Sequence, residues 1–190
     1  MKKKIVILIS GRGSNMLRII DESQRGILSD LCEVALVISN NENAPGIHKA
    51  SARNITALTV ASKKKSQEQF ESELWEHVRE LKPDYVILAG FMKILSPSFL
   101  KKFPQRIINI HPADTRQHQG LNGYKWAFEN KLPHTLITVH YVDEKVDGGE
   151  IIGQRFVDLR GAITEEEVMR RGLAVEHEFF SEVLKEVFSE

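Results

Sequence analysis

The sequence predicts an α/β protein built on a doubly wound, mostly parallel sheet with helices on both faces. Three observations predict it. Short β-branched apolar runs such as Ile5-Val6-Ile7-Leu8-Ile9 recur along the chain, as expected of parallel strands covered on both sides. They alternate with stretches of helical apolar spacing, as in Phe70, Leu74, Trp75 and Val78. Polar, glycine-containing segments follow the strands, where open α/β sheets hold their ligands. A length of 190 residues fits one domain, 1–190, with ample chain for a core.

Composition narrows the class. Apolar residues make up 42% and charged residues 27%, ordinary values for a globular protein. The 26 Lys and Arg balance the 26 Asp and Glu, so total charge argues for neither a nucleic-acid nor a membrane partner. The one cysteine, Cys32, excludes an intrachain disulfide and a multi-cysteine metal site. Within Leu31 to Ile38 it reads as a buried structural thiol. The apolar run after Lys2-Lys3-Lys4 is too short for a targeting segment, and no run reaches transmembrane length. A reduced, cytoplasmic enzyme is the expectation.

Each element follows from local pattern. Ile5 to Ile9 is a strand, Ser10-Gly11-Arg12-Gly13-Ser14-Asn15 a glycine turn, and Met16 to Asp21 a helix. Such a turn can aim backbone N–H groups at an anion. Met16 stands where the dinucleotide fingerprint needs its third glycine, so a single phosphate on a small molecule fits better. The alternative is a turn that needs glycine only for its φ angles. Glu33 to Ser39 is the second strand, Ile47 to Arg53 a helix and Ala57 to Val60 a short strand. Lys63-Lys64-Lys65 reads as solvated surface, or as an attraction for an anionic tail. Gln67 to Leu81 is a helix, Tyr85 to Ala89 a strand, and Ser96-Pro97 the start of a helix over Ser98 to Phe103. Between them Gly90 to Leu95 could line a pocket or simply pack. Tyr124 to Asn130 forms a helix with Trp126 and Ala127 inward, Thr135 to Val142 a strand, and Ile151 to Asp158 the last strand. Thr164 to Glu167 resembles a capping box before the final helix or helices, Glu166 to Phe188.

The most informative stretch is Ile107-Ile108-Asn109-Ile110-His111-Pro112. In a strand, Asn109 and His111 leave the same face, and Ile108 and Ile110 the other. Pro112 ends the strand. The pair suits an active site. It also suits two satisfied core polar groups that tie down a loop. His140, near the end of a later strand, and Asp147, beside Gly148-Gly149, are further candidates.

Four segments in this order carry a family resemblance: Ile9 to Asn15, Leu88 to Pro97, Asn109-Ile110-His111-Pro112 and Asp147-Gly148-Gly149. They resemble the phosphoribosylglycinamide formyltransferase family across nearly the whole chain. The resemblance implies the formyltransferase fold and transfer of the formyl group of 10-formyltetrahydrofolate to the amine of glycinamide ribonucleotide. It implies an oxyanion donor in Asn109 and a general acid in His111. Asp147 would raise the His111 pKa and relay a proton. It places the acceptor's phosphate on Gly13, Ser14 and Asn15, its ribose on Glu176, and the folate against Met92, Lys93, Ile94 and Leu95, with His140 in support. The residues alone would make Glu176 an exposed helix acid. No metal is implied, the partners are small molecules, and a homodimer follows from the resemblance alone.

The chain departs from the family after Pro112, where Ala113-Asp114-Thr115-Arg116-Gln117-His118-Gln119 replaces an apolar Ser-Leu-Leu-Pro pattern. A family arginine is also replaced near Gln67, with Lys64 or Lys65 as stand-ins. The first departure motivates an alternative acceptor, such as an amino sugar nucleotide. A tRNA-formylating enzyme would need a second domain and a basic excess, and a formyltetrahydrofolate hydrolase an extra regulatory domain. A non-catalytic binding module would leave Asn109, His111 and Asp147 unexplained as a set.

Overall fold

Alternate residues of the first strand, β1 (Lys3–Ile9), enter two different cores. Ile5, Ile7 and Ile9 join one cluster, and Val6 and Leu8 the other. This is the period of two expressed on a strand covered on both faces, and it explains the unbroken apolar run. The computed structural model describes residues 1–190. After β1 come α1 (Ser14–Arg25), β2 (Cys32–Ser39), α2 (Pro45–Ser51), β3 (Ala57–Thr59), α3 (Gln67–Arg79), β4 (Tyr85–Leu88) and α4 (Pro97–Leu100). The chain then forms β5 (Ile107–His111), α5 (Gly123–Glu129), β6 (His134–Tyr141), β7 (Ile151–Asp158) and α6 (Glu165–Ser189).

The seven strands lie in the order β3-β2-β1-β4-β5-β6-β7. The first five are parallel, and β6 and β7 add on antiparallel. Helices cover both faces, as the sequence predicts. Side chains of α1, α5 and α6 pack with Ile5, Ile7 and Ile108, whereas α3 and α4 pack with Val6, Leu8 and Ile107. Because Ile107 faces α3 and α4, Asn109 and His111 do too. That face has the thinner cover, since α4 is a single four-residue turn.

Boundaries shift where side chains govern the ends. Pro45 takes the first position of α2, two residues before the expected Ile47, because its fixed φ suits the first turn. The helix α4 stops at Leu100 rather than Phe103. Ser66 and Gln69 form a full capping box on α3. At α6 only half of the expected box exists. Thr164 accepts from the Glu167 N–H, but the Glu167 carboxylate turns forward to Arg171. One 25-residue helix follows. No helix is long and apolar enough to cross a membrane.

On the face opposite Asn109 and His111, α5 and α6 meet at Gly172. A Cβ there would lie 2.1 Å from the Tyr124 ring, so α5 closes onto α6 only because this position lacks a side chain. Gly172→Ala is expected to destabilise the protein by about 1–3 kcal/mol, read as a lower urea midpoint. An unchanged midpoint would contradict the close packing.

Candidate active site

Strand register brings the polar residues together. In the antiparallel β5–β6 pair, Asn109 lies opposite His140, and His111 opposite Thr138. Opposite residues share a face, so His140 joins Asn109 and His111 above the sheet. A register shift in the β6–β7 pairing falls between Val139 and His140, the kind of irregularity that re-aims side chains beside sites.

Asp147 arrives by a less obvious route. The candidate residues do not all follow the carboxyl ends of parallel strands. Because β6 is antiparallel, the loop after it starts beside the first residue of β5, where the Val142 N–H donates to the Ile107 carbonyl. It must fold back along β5 to reach the pair. Asp147 itself takes a left-handed conformation, φ 48°, which non-glycine residues rarely adopt. Gly149 is needed for another reason. A Cβ there would meet the Tyr141 carbonyl oxygen at 1.8 Å.

The Asp147 carboxylate is the meeting point. One oxygen, Oδ2, lies 3.4 Å from His111 Nδ1 and accepts from the Gly120 N–H at 2.8 Å. The other, Oδ1, accepts from Asn109 Nδ2 at 3.3 Å and lies 3.5 Å from His140 Nε2. The Tyr141 carbonyl, 2.9 Å from His140 Nδ1, holds the proton on that nitrogen. His140 Nε2 is then free to accept from Asn109 Nδ2 at 3.2 Å. His140 thus orients the amide.

Electrostatics correct one expectation. Burial pushes the His111 imidazole below its ordinary 6.5, and the Asp147 charge and His118 carbonyl offset this only in part. His111 rests neutral at neutral pH, rather than charged as expected from Asp147 alone. Burial also works to raise Asp147, but its hydrogen-bonded surroundings, the Gly120 N–H among them, outweigh it and hold the carboxyl below the usual carboxylate range.

A cavity of about 280 Å³ opens over these groups. Asn109, His111, His140 and Asp147 line it, with Gly90 to Leu95 on one side and Val142 to Lys145 on another. Met92, Ile94, Leu121 and Val146 leave large apolar surface at its mouth, an arrangement that favours a flat apolar ligand. Lys93 is exposed there, and Leu95 is a core residue of the α3–α4 face. Gln67 reaches this segment by donating to the Ile94 carbonyl. Lys65 pairs with Glu73.

The glycine turn forms a neighbouring cluster. Gly13 has φ 69° and starts α1 with no side-chain cap, leaving the first N–H groups of the helix available to an anion. Ser14 is half-buried and Asn15 buried. Glu176 is only 5% exposed, unlike the surface acid that the residues alone suggest. Its carboxylate accepts from Asn15 Nδ2 and from the Tyr124 hydroxyl, and burial raises its pKa. Asn15 Oδ1 is buried with no hydrogen-bond partner. Ser10 ties the two halves together by accepting from the Met92 N–H at 2.7 Å. No group of three or more His, Cys, Asp or Glu side chains is arranged to hold a metal.

Residues 3–184 match the model of the family described as "Formyl transferase". The chain belongs to the formyl transferase family. It is 36% identical over 184 residues to the phosphoribosylglycinamide formyltransferase of Haemophilus influenzae, covering 96% of this chain and 86% of that protein. It is equally similar to the trifunctional purine biosynthetic protein adenosine-3 of Drosophila pseudoobscura, of which it spans 14%. A crystal structure of glycinamide ribonucleotide transformylase 1 from Symbiobacterium toebii superposes with a TM-score of 0.93 at 33% identity, covering 99% of this chain and 88% of that one. The formyl transferase resemblance and the α/β fold expected from the sequence are both met.

Two groups escaped the sequence reading. His118 contacts His111 and Tyr124 contacts Glu176, and only the departure after Pro112 pointed near either. Trp126, expected inward, is half-buried and stacks on His118 at 4.8 Å. The buried His111 and half-buried His177 imidazoles have a consequence for stability. Burial lowers the pKa values of His111 and His177 below 6.5, so the unfolded chain binds protons more readily. Their stabilisation is complete above about 6.5 and is lost as pH falls below it. The urea midpoint is expected to drop between pH 7.5 and 5.5, and to drop less in His111→Asn. An equal drop in the variant would refute the assignment to His111.

Proposed function

We propose that this protein transfers the formyl group of 10-formyltetrahydrofolate to the primary amine of glycinamide ribonucleotide, a step of de novo purine biosynthesis. One observation carries the reading: Asn109, His111 and Asp147 converge at one cavity in a chain of the formyl transferase family. The names of the relatives favour this acceptor over an amino sugar nucleotide.

The chemistry follows from the geometry. The amine attacks the formyl carbon, and the carbonyl oxygen becomes an oxyanion. Asn109 Nδ2 turns from its present acceptors to donate to that oxygen. His111, neutral at rest with its proton on Nε2, gains on Nδ1 the proton that the attacking nitrogen releases, relayed through water and Asp147. The imidazolium then faces both the oxyanion and Asp147, which stabilises its charge. It gives the proton to the departing folate nitrogen as the carbon–nitrogen bond breaks, and returns to its neutral state. Asp147 serves as the counter-charge and as a relay through water, and His140 keeps Asn109 aligned.

On the same reading, Met92, Lys93, Ile94 and Leu95 hold the folate ring against the Val142–Asp147 loop. The apolar mouth and the backbone groups of Gly90 to Leu95 suit a flat, polar-edged ring. Gly13, Ser14 and Asn15 hold the acceptor's phosphate, and Glu176 its ribose. The reading carries with it a cytoplasmic, metal-free enzyme acting on small molecules as a homodimer.

Incubation with both substrates, followed by the absorbance of released tetrahydrofolate, tests the activity. Turnover with an amino sugar nucleotide and none with glycinamide ribonucleotide would overturn the acceptor. Asn109→Ala and His111→Ala are each expected to lower kcat by ~10²–10³; near-full activity in either would overturn the mechanism. Since His111 acts first as a base, kcat/KM should fall on acidification with a midpoint below 6.5. A profile flat from pH 7.5 to 5 would exclude that role.

A further inference from the structure

The segment after Pro112, where the chain departs from its family, touches the centre of the site. His111 Nε2 donates to the main-chain carbonyl of His118 at 3.0 Å. His111 Nδ1 faces Asp147. The imidazole therefore has an acceptor at each end. Either neutral tautomer serves one of them, and only the imidazolium serves both.

The position of that carbonyl depends on the His118 ring. The ring stacks on Trp126 with 4.8 Å between centroids and 14° between planes, and lies 6.2 Å from the His111 ring. Its Nε2 donates to the Leu121 carbonyl at 3.0 Å. Both ends of the loop are fastened as well. Asp114 accepts from Arg116 Nε at 2.9 Å and from Gln154 Nε2 at 3.2 Å. At the other end, Gly120 donates to Asp147. Between these anchors, the Gln117 and His118 N–H groups donate to the Asp114 carbonyl at 2.9 Å, and the stacked ring is the side-chain contact that aims the carbonyl of His118.

We propose that His118 is a positioning residue for His111: its stacked ring holds its own carbonyl on His111 Nε2, opposite Asp147, until the reacting formyl oxygen takes that place. This rests on the formyl-transfer reading for its last step only. The charged and titratable groups facing His111 are Asp147 from the loop after β6, His140 from β6 and His118 from its own loop. Of these, Asp147 and the His118 carbonyl favour the charged imidazole, and the two neighbouring rings oppose it.

The test compares ¹⁵N-histidine spectra of the ligand-free protein over pH for the wild type, His118→Ala, His118→Phe and Trp126→Ala. Loss of the stack in His118→Ala and in Trp126→Ala is expected to move the His111 titration to lower pH. His118→Phe keeps an aromatic ring on Trp126 and should stay near the wild type. In turnover, His118→Ala should lower kcat roughly five- to tenfold, with the KM for the formyl donor changed less than about twofold. An unshifted His111 midpoint in His118→Ala would overturn the proposal, as would a shift in His118→Phe as large as in His118→Ala. If His118→Ala does not fold, Trp126→Ala decides on the same criterion. Absence of any formyl transfer by the wild type would overturn the proposed function and leave the spectra to judge His118 separately.

Discussion

The Asp147 carboxylate joins three segments that are far apart in sequence. Its two oxygens hold the Gly120 N–H, the Asn109 amide and the His111 imidazole, and His140 lies within 3.5 Å. A carboxylate this buried is costly unless nearly every lone pair is met. The surrounding segments are therefore constrained together: β5 supplies two partners, the loop after Pro112 the third, and β6 sets His140 against the Asn109 amide. The left-handed backbone at Asp147 and the bare Gly149 allow its loop to lie close enough for these contacts.

The antiparallel addition of β6 makes this arrangement possible. A parallel strand would start its following loop at the carboxyl end of β5, beside His111. Antiparallel pairing sets His140 directly against Asn109 and starts the next loop beside Ile107. The returning loop then roofs the face on which α4 provides only one turn of helix. The cavity is thus a product of topology: polar groups occupy a sheet face that the helices leave partly open, and a loop closes it.

Burial also sets the proton chemistry. A neutral imidazole beside an ionised carboxylate is poised to gain a proton when charge develops next to it, and solvent screening inside the cavity is weak. The second cluster, around Asn15, Tyr124 and Glu176, has a different character. Its carboxylate is shared between two donors, and one amide oxygen lacks a partner. Ser10 links the two clusters through Met92, so the turn after β1 and the segment after β4 keep a common geometry.

Much of the fold was legible in the sequence because parallel strands buried on both faces leave continuous apolar runs, and helices leave their own spacing. The Asn109–His111 pair was legible for the same reason, since a period of two places them on one face. Family resemblance brought in Asp147, Glu176 and the Met92–Leu95 segment, which periodicity alone would not have marked. The neutral rest state of His111, the burial of Glu176 and the contacts of His118 and Tyr124 were not legible. Each depends on the packing of residues distant in sequence: desolvation by the assembled cavity, the approach of α5 to a glycine of α6, and a main-chain carbonyl with no signature of its own. The sequence by itself determined which residues could do the chemistry. The tertiary structure decided which of them meet and in what state of charge, because burial and hydrogen-bond partners exist only once the chain is folded.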